Sequence, residues 1–209
     1  MDHALDQHLV RDVATLEAIY GAASEASQAK EVDHVHPLYA RFIEKAPFFV
    51  LATGGPGGMD ASPRGDAAGF VTVADPRTLL IPDRRGNNRI DSLRNILADP
   101  RVALLFLVPG VGETLRVNGR ASISIEPALL ERFAVGEKAP RSVLVVAVET
   151  VYFQCSKAIV RSGLWDPTRH VARSALPTSG TILATLSGER INAAEYDAAL
   201  PERVRATLY

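Results

Sequence analysis

The connections between the β-rich segments of this chain are the feature that most restricts its fold. From Phe48 onward, turn residues bound six apolar or alternating runs: FFVLAT, GFVTVA, TLLIP, RVALLFLV, TLRVNGRASISI and SVLVVAVETVYF. Several intervening stretches, such as DPR and VPGVG, are too short for the crossover helix that parallel strands need. The runs therefore predict antiparallel strands. We favour a closed or nearly closed barrel, because that arrangement leaves few strand edges unpaired.

Helical periodicity precedes this β-rich region. Leu9, Val13, Leu16 and Tyr20 recur at the spacing of an amphipathic helix, which should end near Gly21. The stretch AASEASQAKEVDHV has no apolar period and indicates a linker.

Further helices are predicted beside and after the strands. One begins with Pro37 in its first turn and should turn Leu38, Phe42 and Ile43 inward. The run RIDSLRNILAD, closed by Pro100, predicts a helix between strands. CSKAIVRSGLW predicts another after the last strand, and INAAEYDAAL with PERVRATLY predicts a final helix or helical pair.

Composition excludes several classes of partner. The 209 residues carry a formal net charge of −1, and acids and bases are mixed along the chain, so neither a nucleic-acid surface nor a polybasic membrane patch is expected. No stretch approaches the roughly 20 apolar residues of a membrane span, and the first residues lack the pattern of a secretory leader. Cys155 is the only cysteine, and the histidines lack metal-ligand spacing. We expect a cytoplasmic protein without bound metal whose ligands are small molecules.

A cluster of arginines and asparagines separates one strand from the next helix. The run LLIPDRRGNNRIDSLRNIL, residues 79–97, leads through Pro82 and Asp83 to Asn87, Asn88 and Arg89. Guanidinium groups pair with phosphate oxygens, amides donate hydrogen bonds, and the free N–H groups of a helix N-terminus favour anions. The stretch is a candidate anion site. A solvated turn with surface arginines is the alternative, and spacing alone does not decide between them.

Two other runs place charged side chains on strands that should lie near this turn. ASPRGDAAGF holds Arg64 and Asp66, and RVNGR holds Arg116 before Gly119, which predicts a bulge. Charged side chains that face inward need partners, whereas outward-facing ones do not, and the sequence leaves the strand register open. The glycines of GGPGG lack the Lys-Ser/Thr ending of a phosphate loop and predict a flexible hairpin turn.

Four motifs together resemble the pyridoxamine 5'-phosphate oxidase-like flavoproteins, in particular a bacterial branch with IPDRxGNNR and RSxLW signatures. They are ASPRGDAAGFV, TLLIPDRRGNNRIDSLRNIL, RVNGRASIS and CSKAIVRSGLW, in that order. The resemblance implies a mainly β protein with flanking helices, built on a six-stranded antiparallel split β-barrel that binds FMN at a homodimer interface. Residues 1–34 would form an N-terminal helix and linker, and residues 35–209 the FMN-binding split-barrel domain with C-terminal helices.

The resemblance also implies roles for individual residues. Arg64 matches the arginine that opens the first FMN-binding strand, the segment 81–83 matches the strand end beside the flavin, and Asn88 and Arg89 match the pair that holds the phosphate. Thr114 stands where the oxidases have a glutamine facing the flavin. The segment 157–165 would approach the cofactor from the partner subunit, although Trp165 is equally suited to anchoring its own helix. With the charged residues above, the predicted cofactor-binding set is Arg64, Asp66, Ile81, Pro82, Asp83, Asn87, Asn88, Arg89, Thr114, Arg116, Lys157, Arg161, Ser162 and Trp165.

The predicted function is that of an FMN-dependent oxidoreductase acting on a small organic substrate, with substrate and electron donor both unassigned. No residue stands out as a general acid or base, and the chain ends in PERVRATLY rather than in the arginine-histidine signature of the true oxidases, so vitamin B6 oxidation is not expected. A flavin-binding protein without catalysis is one alternative. A heme- or deazaflavin-binding split-barrel relative is another.

Overall fold

A computed structural model describes residues 8–209, and residues 1–7 of the predicted N-terminal region lie outside the described part. The chain divides into two compact units, one that ends at Glu31 and one that runs from Val32 to Tyr209. The described part of the first unit contains α1 (Val13–Tyr20) and α2 (Glu25–Ala29). The predicted end of α1 is confirmed, since Gly21 adopts a φ of 70° and donates its N–H to the Glu17 carbonyl. α2 was not predicted, because Ser24 caps it within a stretch that has no apolar period.

The second unit contains the sheet and the remaining helices. In chain order these are α3 (Pro37–Lys45), β1 (Phe48–Gly55), β2 (Gly58–Gly65), β3 (Thr72–Asp75), β4 (Thr78–Pro82), α4 (Asp91–Ala98), β5 (Arg101–Leu107), β6 (Thr114–Ser124), α5 (Pro127–Arg132), β7 (Val143–Gln154), α6 (Lys157–Ser162), α7 (Ser179–Ser187) and α8 (Ala193–Thr207). Two short 3₁₀ turns, Pro167–Arg169 and Arg173–Ala175, lie between α6 and α7. None of the helices within residues 8–209 is long and apolar enough to cross a membrane.

The strands form one antiparallel sheet in the order β2-β1-β5-β6-β7-β4-β3. The predicted mainly β class with flanking helices and antiparallel pairing is confirmed. The sheet has seven strands rather than six, and over the described residues it is open, because β2 and β3 end the strand order without pairing to each other. This openness is the geometry expected of a split barrel.

β2 is the strand that the sequence did not predict. Its residues GMDASPRG include two glycines and Pro63, all unfavourable in strands. β2 forms because a two-residue turn between Gly55 and Gly58 pairs it with β1, which confirms the predicted GGPGG hairpin turn. Pro63 is tolerated because β2 is the first strand in the order, where an edge strand can lack one donor.

The predicted bulge near Gly119 is confirmed. The register between β6 and β7 shifts between Asn118 and Gly119, and Glu149 of β7 is the extra residue. A Cβ atom on Gly119 would lie 2.2 Å from the Ala147 carbonyl oxygen, so only glycine permits this close approach of the two strands.

The core consists of alternate apolar residues from the strands and the inner side of α3. Phe49 stacks on Phe70 with ring centroids 5.8 Å apart and also contacts Phe106 at 5.0 Å. Ile43 of α3 is fully buried, as expected, but Leu38 is 70% exposed, so its inward placement was wrong.

The final segment is one helix, α8, which continues through Pro201.

Candidate cofactor site

The predicted arginine and asparagine run lines a cavity of about 540 Å³, here named the Arg64 cavity. Most of its wall is formed by residues 60–65 of β2, by residues 82–93, and by Arg141 with Ser142. Five arginines and three aspartates line it, namely Arg64, Arg84, Arg85, Arg89, Arg141, Asp60, Asp83 and Asp91. The positive excess suits an anionic ligand.

An ion pair joins the two sides of the Arg64 cavity. Arg64 Nη1 lies 2.5 Å from Asp83 Oδ1, and these side chains are only 22% and 16% exposed. Arg64 Nε is buried, and among the described residues nothing accepts a hydrogen bond from it. A buried donor without an acceptor lowers stability unless a ligand supplies one. The N–H group at Nε of Arg64 is therefore available to an oxygen atom of a ligand.

The loop before α4 has an unusual backbone. Asn88 and Ile90 adopt left-handed conformations with φ of 61° and 54°, which are rare for a β-branched residue such as isoleucine. Ile90 is also the N-cap residue of α4, and its side chain makes no capping hydrogen bond. Strained backbone of this kind clusters at ligand-binding loops. Because Ile90 provides no cap, the first N–H groups of α4 lack a side-chain acceptor among the described residues where the helix meets the cavity.

Hydrogen bonds hold the polar side chains of this loop. Arg141 Nη1 donates to Asn88 Oδ1 at 3.0 Å, and Asn87 Oδ1 accepts from the Arg89 N–H at 3.1 Å. Arg89 Nε donates to Asp91 Oδ2 at 2.7 Å, and the bond and charge of Asp91 raise the pKa of the Arg89 guanidinium.

Asp66 lies outside the cavity lining but fixes one of its arginines. Its Oδ2 accepts from Arg84 Nε at 2.5 Å, and its Oδ1 accepts from Tyr209 Oη at 2.8 Å. Arg84 Nη1 also donates to the Phe133 carbonyl oxygen at 2.6 Å. Burial raises the pKa of the Asp66 carboxyl, but hydrogen bonds from Tyr209, the Ala67 N–H and Arg84 outweigh this effect and hold the pKa below its usual 3.8.

The structure brings six of the predicted cofactor residues to the Arg64 cavity. They are Arg64, Pro82, Asp83, Asn87, Asn88 and Arg89. Ile81 is buried in the main core on β4, and Thr114 is buried at the start of β6. Arg116 donates to Tyr152 Oη at 2.7 Å, on a strand that does not line the cavity.

The predicted residues after β7 lie elsewhere in the same chain. Arg161 and Trp165 line another cavity of about 540 Å³, and Trp165 Nε1 donates to the Val111 carbonyl oxygen at 2.8 Å. Ser162 Oγ donates to the Ile159 carbonyl within α6. Lys157 is exposed at the start of that helix. Trp165, which lies beyond the end of α6, thus holds this segment to its own chain. Whether the segment reaches a partner's flavin stays a prediction.

Sequence reasoning missed several residues that complete the site. Ser92 Oγ donates to Asp60 Oδ2 at 2.6 Å, Arg141 binds the strained Asn88, and Tyr209 binds Asp66. Arg141 lies two residues before β7, so the pairing of TLLIP with SVLVV could have placed it beside the loop. Nothing local to Asp60 or Tyr209 signals a partner.

The sequence and the fold are similar to those of known proteins. Residues 35–155 match the family model of pyridoxamine 5'-phosphate oxidase. No curated protein matches the chain. Solved structures with a similar fold include HupZ from Group A Streptococcus, at 22% identity over 56% of this chain and 90% of that chain with a TM-score of 0.45. General Stress Protein 26 from Bacillus anthracis is 18% identical over 55% of this chain and 88% of that chain, with a TM-score of 0.41. A FAD-binding protein from Mesorhizobium loti is 14% identical over 57% of this chain and 94% of that chain, with a TM-score of 0.40.

The matched region contains all seven strands and every residue that lines the Arg64 cavity. It also spans more than half of the chain. This chain therefore belongs to the pyridoxamine 5'-phosphate oxidase family.

Proposed function

We propose that this protein binds FMN in the Arg64 cavity and acts as an FMN-dependent oxidoreductase on a small organic substrate. The observation that carries the proposal is the buried Nε of Arg64, which has no acceptor among the described residues. A phosphate or flavin oxygen would supply that acceptor. A neutral surface turn would not be expected to leave such a donor buried.

The residues of the cavity fit the phosphate of FMN. Asn88, Arg89 and the uncapped first turn of α4 would hold its oxygens, and the surplus of guanidinium groups would offset its negative charge. Arg89 is exposed and would exchange its bond to Asp91 for one to the phosphate. Pro82 and Asp83, at the end of β4, would lie along the flavin.

The flavin would supply hydride or electron transfer when bound, and the chain would supply position and polarity. The described lining includes no histidine, lysine, cysteine or tyrosine. Each aspartate of the lining is already engaged: Asp60 by Ser92, Asp83 by Arg64 and Asp91 by Arg89. No lining side chain is therefore assigned to proton transfer, and the chain's part in the reaction is to bind and orient.

We further propose that the flavin lies at a homodimer interface. Lys157, Arg161, Ser162 and Trp165 lie away from the Arg64 cavity of their own chain. A role for them at the flavin therefore requires that one subunit presents them to the cavity of the other.

The absorption spectrum of the purified protein, followed by titration with FMN and riboflavin, tests the cofactor. We expect a flavin spectrum, and FMN should bind more tightly than riboflavin, because Asn88 and Arg89 would hold the phosphate, which riboflavin lacks. Equal affinity for the two flavins would remove the basis of the assignment. A heme or deazaflavin spectrum would identify one of the other cofactors that split barrels accept.

A flavin-binding protein without catalysis is the second candidate, and the lack of a free proton-transferring side chain in the lining favours it. Anaerobic addition of NADH or NADPH to the flavin-loaded protein separates the two functions. Bleaching of the visible flavin band supports the oxidoreductase. A flavin that stays oxidised with both donors supports the binding protein.

A further inference from the structure

A second cavity of about 400 Å³, here named the Tyr209 cavity, lies beside the Arg64 cavity. The two share Arg84, Arg85 and Arg141 as lining residues. Residues 137–140 and Tyr209 line only the second cavity. The shared arginines thus line two adjoining cavities, and the flavin phosphate would occupy only the Arg64 cavity.

The charge of the Tyr209 cavity is only partly compensated, because Asp66 pairs with Arg84 and the other three basic side chains of the lining remain. Four basic side chains line it against a single acidic one, Glu137. Within the part of the chain that the structure describes, Arg85 and Lys138 form no ion pair, and Arg141 bonds to the neutral Asn88 amide. Exposed cations are stable in water, so this excess alone would indicate only a solvated surface.

Two walls of the Tyr209 cavity are held in place, which a solvated surface does not require. Arg84 is only 17% exposed and is fixed by Asp66 and the Phe133 carbonyl. Tyr209 is held by its hydrogen bond to Asp66, and its ring centroid lies 5.7 Å from the guanidinium carbon of Arg84. Pro140 is buried beside them. The cavity therefore combines the exposed cations Arg85, Lys138 and Arg141 with an aromatic and apolar surface that is already fixed. The fixed surface lowers the entropic cost of binding, because it need not be ordered by the ligand.

We propose that the Tyr209 cavity binds a small organic anion. Its carboxylate or phosphoryl group contacts Arg85, Arg141 and Lys138, and its apolar body packs on Tyr209 and Pro140. Guanidinium forks suit both kinds of anionic group. The proposal does not depend on flavin in the Arg64 cavity, because Lys138 and Tyr209 belong to the second cavity alone.

Isothermal titration calorimetry of the full chain, saturated with FMN, tests the proposal with benzoate, phenylphosphonate and the neutral benzyl alcohol. At least one anion should bind about tenfold more tightly than benzyl alcohol, and added salt should weaken it. Lys138→Gln should weaken that anion roughly three- to tenfold, as expected for a lost charge-assisted contact. Lys45→Gln, which removes an exposed charge from α3, is the matched control and should change nothing.

The same titrations separate this proposal from the flavin assignment. Lys138→Gln should leave FMN affinity unaltered, whereas Arg89→Gln should weaken FMN and leave the anion bound. If the wild-type protein takes up no FMN, the anion titration is made on the protein as purified, and binding there supports the second site by itself. The proposal is overturned if neither anion binds, if benzyl alcohol binds as tightly, or if Lys138→Gln behaves like Lys45→Gln.

Discussion

At the scale of single residues, Asp66 makes the most consequential contacts. Its folded pKa lies below the usual 3.8, so its contribution to stability is present above pH 3.8 and is lost as the pH falls through the lower folded value. We expect Asp66→Asn to abolish this pH-dependent contribution to the free energy of unfolding. At neutral pH the variant should also lose about 1 to 3 kcal/mol of unfolding free energy, because Arg84 loses its anionic acceptor. Urea unfolding measured across the acid range checks both effects.

The matched control for Asp66→Asn is Glu149→Gln, which removes an exposed carboxylate at the β6–β7 bulge. This control should follow the wild-type stability curve throughout. Coincident curves for the wild type and Asp66→Asn would show that the contacts of Asp66 with Arg84 and Tyr209 add nothing to stability.

Arg89 tests the phosphate assignment most directly. If it binds the phosphate, Arg89→Ala should weaken FMN binding by about 1.5 to 3 kcal/mol, the usual loss for a charge-assisted hydrogen bond. Quenching of flavin fluorescence in a titration measures the change, and Arg120→Ala on β6 is an exposed control. An unaltered dissociation constant in a folded Arg89→Ala protein would mean that other residues hold the phosphate.

The sequence predicted the residues of the site loop but not their partners. Asn87, Asn88 and Arg89 could be found because a strand, a polar turn and a helix follow one another within a few positions. Arg141 and Tyr209 could not. The contact of Arg141 with Asn88 depends on strand register, and Tyr209, which contacts Asp66, lies 143 positions away in the chain, beyond the end of α8. Local patterns carry no information about such pairs.

At the scale of elements, the β6–β7 pair depends on one glycine. We expect Gly119→Ala to destabilise the protein by about 2 kcal/mol or more, since its Cβ atom would lie 2.2 Å from the Ala147 carbonyl oxygen and force the strands apart. Gly57→Ala, in the β1–β2 turn, meets no atom within 4 Å and serves as the control. Chemical unfolding of both variants measures the difference, and equal stabilities would show that the strands separate without cost.

The elements also show where sequence patterns fail. Six strands were predicted because their apolar content is high, whereas β2 takes its conformation from pairing with β1 rather than from its own residues. The helix predicted across CSKAIVRSGLW is confined to Lys157–Ser162, because Gly163 adopts a φ of 61° and ends it. Pairing with a neighbouring strand thus determines the conformation of β2, and the backbone conformation of Gly163 determines where α6 ends.

At the scale of the whole molecule, we expect a homodimer. Leu105 and Leu107 on β5 remain half-buried in the single chain, and a second chain would cover such apolar surface. Light scattering of the flavin-loaded protein at low micromolar concentration measures the mass. A monomer that still binds FMN tightly would contradict the shared site. A dimer in which Trp165→Ala leaves flavin affinity unaltered would contradict only the role of Trp165.

The Arg64–Asp83 ion pair spans the opening of the sheet, because β2 is first in the strand order and β4 is sixth. A ligand that contacts both residues would tie together two strands that no backbone hydrogen bond joins. At a hundredfold excess over its dissociation constant, such a ligand adds about 2.7 kcal/mol of stability. Amide hydrogen exchange should then slow along β2 and β4, as their opening fluctuations become coupled. Slower exchange confined to residues 83–91 would instead mean that the ligand orders the loop and leaves the two strands to open independently.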